Sequence, residues 1–211
     1  MNVQHPGISI IIPVYNTEKT LPRALASVEA QTISADALEV LLVDDCSTDG
    51  SWQLVQEYAA AHPNVRALRT AANTGSAGAP RNLAMENAAA PYLMFLDNDD
   101  ALTPDACRVL FEEAESSGAD LVTGYYRTVD EAGRPLDDRA AGCTVQGERK
   151  EYHFPQDYGS IFEVRQGGWC KIYRTELIRQ HHLQFATECY MEDILFIAQY
   201  LMASRTMVYI N

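Results

Sequence analysis

Residues 8–16 read Ile-Ser-Ile-Ile-Ile-Pro-Val-Tyr-Asn, an apolar, mostly β-branched run that breaks at once into polar residues. Such a run is the pattern of a strand buried on both faces. The figure returns twice: Leu38–Val43 ends in Asp44-Asp45, and Tyr92–Leu96 ends in Asp97-Asn98-Asp99-Asp100. Helical patterns lie between these runs. Leu21, Leu25 and Val28 share one face, and Trp52, Val55 and Tyr58 follow a start that Thr48 or Asp49 can cap. Pro80 lies in the first turn of a third helix, and Thr103-Pro104 opens a fourth, with Pro at its favoured first position. Val65–Leu68 reads as a short strand and Leu121–Tyr126 as a further one. Strands alternating with helices imply right-handed crossovers and an α/β fold with a central, mostly parallel sheet. In such sheets ligands bind beyond the carboxyl ends of the strands, where these polar clusters sit.

The second half is patterned differently. From about Asp130 to Tyr158 the chain is polar and punctuated by Gly-Arg-Pro and Phe-Pro, which predicts a hairpin or mobile loop inserted into the domain. Helices are predicted at Thr175–His181 and from about Glu192 to Met202, the latter with Ile194, Ile197, Ala198 and Leu201 on one face. Val208–Ile210 reads as a strand running to the last residue, so a longer protein is expected.

At 211 residues and 47% hydrophobic content the chain is long enough for one core and short for two. A net charge of -13 repels phosphate backbones and argues against nucleic acid as a partner. The five cysteines are odd in number and irregular in spacing, with no CxxC, which suggests neither disulfides nor zinc but a reducing, cytoplasmic compartment. The run at Ile8–Val14 is too short to span a bilayer and lacks the basic start of a signal peptide.

Four clusters carry possible chemistry. Three carboxylates within Asp97–Asp100 repel one another unless neutralised, and hard divalent cations take such oxygens; a solvated, helix-capping turn reads equally well. A carboxylate at Asp44-Asp45 can accept the N3–H of uracil, as it could an equivalent N–H of thymine or guanine; an N-cap region accounts for the same residues. Asn73-Thr-Gly75-Ser-Ala-Gly78-Ala-Pro80-Arg81 would bring backbone N–H groups and Arg81 to a helix start, an anion cradle or simply a tight turn. Glu192-Asp193 begins a helix, where a carboxylate can be a general base or an ordinary dipole partner. Trp169, after two glycines, could stack on a sugar or fill the core. The five histidines show no metal spacing.

Taken in order, Ser9–Asn16, Val43-Asp44-Asp45…Ser47-Thr-Asp49-Gly50, Asn73…Arg81-Asn82, Phe95–Asp100, Trp169-Cys-Lys171-Ile-Tyr173-Arg174 and Glu192-Asp193 resemble the family 2 glycosyltransferases over nearly the whole chain. The resemblance implies a GT-A fold, a single domain with a nucleotide-sugar half at about 1–127 and an acceptor-side half at about 128–211. It implies that Pro13, Val14 and Tyr15 line the nucleoside pocket, that Asp45 binds the base, and that Asn73, Gly75 and Arg81 flank the nucleotide. Asp97 and Asp99, with Asp100, would form the DxD-type site at ribose, divalent metal (Mn²⁺ or Mg²⁺) and diphosphate. Asp193 would be the base, its neighbour Glu192 would help to orient the site, and Trp169 and Lys171 would face the acceptor. The implied partners are a nucleotide-diphosphate sugar, with UDP preferred, and a glycan, lipid-linked or polymer acceptor. Peripheral attachment at the inner membrane face would come from segments outside the chain. Cys170 departs from the Asn common in that stretch. A sugar nucleotidyltransferase would share the layout, but should carry a Gly-rich basic loop after the first strand, where Pro13-Val-Tyr15-Asn16 stands. A non-catalytic binding domain would not need to keep Asp99 and Asp193.

Overall fold

The computed structural model describes residues 6–130, 133, 134, 136, 148–163, 167–188 and 191–211. Among them the strands are β1 (Ile8–Val14), β2 (Leu38–Asp44), β3 (Val65–Arg69), β4 (Tyr92–Phe95), β5 (Leu121–Thr123), β6 (Arg149–His153), β7 (Lys171–Arg174) and β8 (Thr206–Ile210). The helices are α1 (Leu21–Glu29), α2 (Ser51–Ala61), α3 (Gly78–Asn87), α4 (Ala106–Ser117), α5 (Thr175–Gln180) and α6 (Glu192–Ala203).

The strands form one sheet in the order β3-β2-β1-β4-β7-β5-β8-β6. β1 pairs in parallel with both β2 and β4, and β2 with β3. The N-terminal half thus winds outward on one side of β1 and resumes on the other at β4. A crevice opens at such a reversal of strand order. Antiparallel β7 lies between β4 and β5, which makes the sheet mixed. Alternation along the strands explains the two buried layers. Ile8, Ile10, Ile12 and Val14 join α1, α2 and α4 on one face, while Ile11, Leu41, Val43 and Phe95 join α3, α5 and α6 on the other.

Several elements differ from the sequence reading. α4 begins at Ala106, because Pro104 lies in a preceding turn that also gives its carbonyl to Thr32 N–H at 2.7 Å. β5 stops at Thr123; beyond it, Gly124 N–H reaches the Cys170 carbonyl at 2.8 Å, outside the strand ladder. Within the polar stretch, Arg149–His153 is an edge strand on β8 with only Tyr152 fully buried. One inward side chain in five residues leaves little apolar alternation to read. The remainder of the expected insertion, through residue 147, lies largely outside the described residues. β7 (Lys171–Arg174) is a strand for which the sequence reading makes no prediction.

The inward face of α6 is also corrected. Phe196, Ile197, Tyr200 and Leu201 are buried, while Ile194 and Ala198 are exposed. α6 is apolar nearly all round, so its rotation is decided by packing: Phe196 stacks on Phe185 with centroids 4.0 Å apart, and Tyr200 meets Tyr173 edge to face at 5.0 Å. Among the described residues no helix is long and apolar enough to cross a membrane.

Candidate active site

The ends of β1 and β2 build the first wall. Past the last paired position of β1 and β4, Ile11 with Phe95, β1 continues through Pro13, which has no N–H to offer a ladder. The Pro13 carbonyl instead accepts the Asn98 side-chain amide at 2.9 Å, tying the acidic turn to β1. Asn16 takes a left-handed backbone (φ 52°), which Asn tolerates. Its carboxamide oxygen accepts Thr48 N–H at 2.8 Å, and its own N–H donates to Ser47 Oγ at 3.0 Å. The loops after β1 and β2 are thereby stitched together. Of the three expected nucleoside contacts, Pro13 and Val14 are buried, with Val14 in the core, and only Tyr15 presents its side chain, 45% exposed.

Asp44 and Asp45 divide their labour. Asp44 is fully buried and binds Arg69 Nε at 2.9 Å and the backbone N–H of Ser47, holding the turn. Asp45 faces the 70–74 loop. Its Oδ2 accepts Thr74 N–H and Thr74 Oγ1, both at 2.9 Å, and Asn73 Nδ2 at 3.2 Å, whereas Oδ1 accepts Thr70 Oγ1 at 2.8 Å. A carboxylate oxygen has two acceptor sites, so Oδ1 retains capacity for a further donor. Gly75 sits at φ 76° with open space where a Cβ would stand, so here the backbone, not crowding, selects glycine.

The turn after β4 closes on itself, with Asp100 N–H donating to the Asp97 carbonyl at 3.1 Å, while Arg23 holds the Asp99 carbonyl. Asp99 and Asp100 keep solvent contact. Even so, desolvation by the packed turn, with repulsion from Asp97 and Asp99, pushes Asp100 up to about 6 against the pull of Arg23. Among the described residues no three His, Cys, Asp or Glu side chains converge as a metal-ligand set.

Arg81 stands in the first turns of α3. Its guanidinium is largely buried, with NH2 2.6 Å from Asp97 Oδ1 and NH1 2.8 Å from Glu192 Oε1. Phe185 lies beneath it, 5.2 Å from ring centroid to guanidinium carbon. Both ends of the fork are thus taken by carboxylates. Next in α6, Asp193 is half-exposed, and its Oδ1 accepts Ile194 N–H at 2.9 Å. A Cβ on Gly168 would lie 3.7 Å from the Asp193 Cβ, which places the Gly-Gly-Trp loop against the first turn of α6.

Trp169 is half-buried and meets Tyr126 edge to face at 4.6 Å. Lys171, expected toward the acceptor, is instead buried (1% exposed). Its ammonium donates to the Gly167 carbonyl at 2.8 Å, and Tyr173 Oη donates to the Gly168 carbonyl at 2.7 Å. A strand position inside the sheet turns Lys171 inward, where it supports the loop from below. Sequence reasoning missed Asn16, Ser47, Thr70, Thr74, Asn98 and Tyr126. Asn16, Ser47 and Asn98, each just after a strand, carried turn signals, but none of a functional role.

The Glycosyl transferase family 2 profile matches residues 9–181. The chain is 30% identical over 194 residues to EpsH of Bacillus subtilis (strain 168), covering 91% of this chain and 54% of EpsH. It is 29% identical over 205 residues to the poly(ribitol-phosphate) beta-N-acetylglucosaminyltransferase TarS of Staphylococcus aureus (strain Mu50), covering 95% of this chain and 33% of TarS. The chain therefore spans about a third to a half of the length of these relatives. The crystal structure of S. aureus TarS 1-349 in complex with UDP-GlcNAc superposes with a TM-score of 0.81 at 25% identity, over 96% of this chain and 55% of that one. The mannosyltransferase PcManGT from Pyrobaculum calidifontis, in complex with GDP-Man and Mn²⁺, shares the fold with a TM-score of 0.68 at 19% identity, over 98% of this chain and 55% of that one. On the profile match over residues 9–181, the chain belongs to glycosyl transferase family 2, with the GT-A fold.

Proposed function

We propose that the chain is the catalytic domain of an inverting glycosyltransferase that moves a sugar from a nucleotide diphosphate, preferably UDP, to a hydroxyl of a glycan or polymer acceptor in the cytoplasm. The observation that carries this reading is the Arg81 fork, which joins the acidic turn after β4 to the first turn of α6, beside Asp193. The UDP-GlcNAc complex of TarS, a protein whose name gives a polymer acceptor, supports the donor class.

In this reading Tyr15 lies against the base, and the remaining acceptor site of Asp45 takes a base N–H. Asp99 and Asp100 fit a divalent cation as a partial oxygen set that diphosphate oxygens and water would complete. Mn²⁺ or Mg²⁺ held there would offset the negative charge that develops on the leaving diphosphate. Asp193 accepts the acceptor's hydroxyl proton as the acceptor oxygen bonds to the anomeric carbon. The bond from that carbon to the diphosphate breaks on the opposite face, so one displacement inverts the configuration.

The test pairs a panel of UDP-sugars and sugar or polyol acceptors, with Mn²⁺, with a UDP titration. Asp193→Asn is expected to lower kcat about 10²–10⁴-fold, the range of general-base contributions, while the Kd for UDP stays within a few-fold. Transfer that survives in Asp193→Asn shows that the base is elsewhere. UDP binding that collapses with activity assigns Asp193 to the donor site.

A further inference from the structure

The first turn of α6, which carries Asp193, has little local support. Its N-cap is Met191, in the left-handed region at φ 66°, with no side-chain cap bond and a side chain 63% exposed. Among the described residues, the local brace is the Ile194 N–H, shared between the Met191 carbonyl at 3.1 Å and Asp193 Oδ1 at 2.9 Å. A general base needs a fixed distance to its hydroxyl, and a misplacement of about 1 Å can cost 10²-fold in rate.

What holds the turn comes from elsewhere in the fold. Glu192, whose side chain is 15% exposed, is gripped by Arg81 NH1, and NH2 of the same guanidinium grips Asp97. The Arg81 side chain is 8% exposed, and its Nε is buried without a hydrogen-bond partner, so the two carboxylates set the orientation of the fork. α3 is itself clamped to the 185 segment: Asn82 donates to the Phe185 carbonyl at 2.9 Å and accepts Phe185 N–H at 2.8 Å. Phe185 stacks on Phe196, one turn into α6, so the platform beneath Arg81 is tied to the same helix.

On the reading proposed above, we infer that Arg81 and Glu192 are positioning residues that lock the base Asp193 in register with the donor-side turn at Asp97. Glu192 transmits the lock and is not a second base. Arg81 acts on the donor side through Asp97, which its NH2 holds at 2.6 Å. Lysine cannot substitute, because a single ammonium does not span two carboxylates on different elements.

The experiment compares Glu192→Gln, Arg81→Lys, the double variant and Asp193→Asn, using the donor and acceptor identified by the panel, with calorimetry against UDP and Mn²⁺. Glu192→Gln, close in shape, is expected to lower kcat about 10–100-fold while donor KM and UDP Kd stay within threefold, the scale of a misplaced base. The double variant is expected to be no slower than Arg81→Lys alone, because both changes cut one link. A kcat for Glu192→Gln within twofold of wild type overturns the inference, as does full additivity of the two losses. Should Arg81→Lys fail to fold, Glu192→Gln decides the matter by its kcat-against-KM split. Transfer that persists in Asp193→Asn removes the general-base reading and this inference together. An inactive Asp193→Asn beside an unaffected Glu192→Gln removes the inference alone.

Discussion

At Cys170 the backbone turns into the left-handed region, φ 52°, just before β7 and just after the loop that leans on Asp193. That region costs most L-residues about 1–2 kcal/mol, whereas Asn is favoured there by its local hydrogen bonding. Cys170→Asn is expected to stabilise the fold by about 0.5–1 kcal/mol, a rise in Tm of about 1–4 °C at this chain length. A thermal melt checks it, and an unchanged or lower Tm would mean that the thiol's own contacts outweigh the backbone strain. A second residue-scale expectation concerns Asp100, whose carboxyl is raised from 3.8 to about 6 by desolvation and by Asp97 and Asp99. Between those values the folded chain keeps a proton that the unfolded chain has lost. The contribution of Asp100 therefore erodes stability as pH climbs from about 4 to about 6, and is level above that. In metal-free protein, Asp100→Asn should remove this slope and raise Tm at pH 7. The measurement is the difference between wild-type and variant Tm across pH 4–8, and parallel curves would show that Asp100 titrates normally.

Among the described glycine positions, Gly78 at the start of α3 leaves the least room for a Cβ. A Cβ on Gly78 would stand 2.3 Å from the Ala186 carbonyl oxygen and 3.3 Å from the Phe185 Cβ, and backbone cannot yield as a flexible side chain does. Alanine normally favours a helix over glycine by about 1 kcal/mol. Here the clash should reverse the sign, and Gly78→Ala is expected to cost about 1–3 kcal/mol by chemical denaturation, the range for overpacking. A stabilised variant would show that the 185–186 segment can move away. The rotation of α6 belongs to this scale as well. Of the expected stripe Ile194, Ile197, Ala198 and Leu201, Ile197 and Leu201 do face inward, but the buried face is rotated away from Ile194 and Ala198 toward Phe196 and Tyr200. Phe196 and Tyr200 meet Phe185 and Tyr173, and a helix that is apolar on all sides turns toward its largest partners.

For the whole molecule, strand order concentrates acidic groups from β2, β4 and α6 around one crevice in a chain that is already strongly negative. A nucleoside diphosphate alone meets that field unaided, and a divalent cation alone lacks ligands. UDP with Mn²⁺ is therefore expected to raise Tm more than either does alone. At a hundredfold excess over Kd the linkage is about 2.7 kcal/mol, several degrees for a chain of this size. Differential scanning fluorimetry across the four combinations checks it, and no shift with both present would count against the site.

The residues alone determined the alternation of buried strands and helices, and with it the placing of Asp45, Asp97–Asp100 and the Asn73–Arg81 loop at strand ends. Those signals are local: β-branched runs, helical periods and turn residues act within a few positions of one another. The approach of Glu192 to Arg81 spans 111 residues, and that of Asn16 to Thr48 spans 32. No short-range pattern encodes either. The inward turn of Lys171 likewise follows from β7 entering the sheet between β4 and β5, a pairing that only the assembled core selects. The acids were therefore legible as chemistry one by one. Tertiary structure decided which of them Arg81 would join, because ion pairing and packing act across space without regard to distance along the chain.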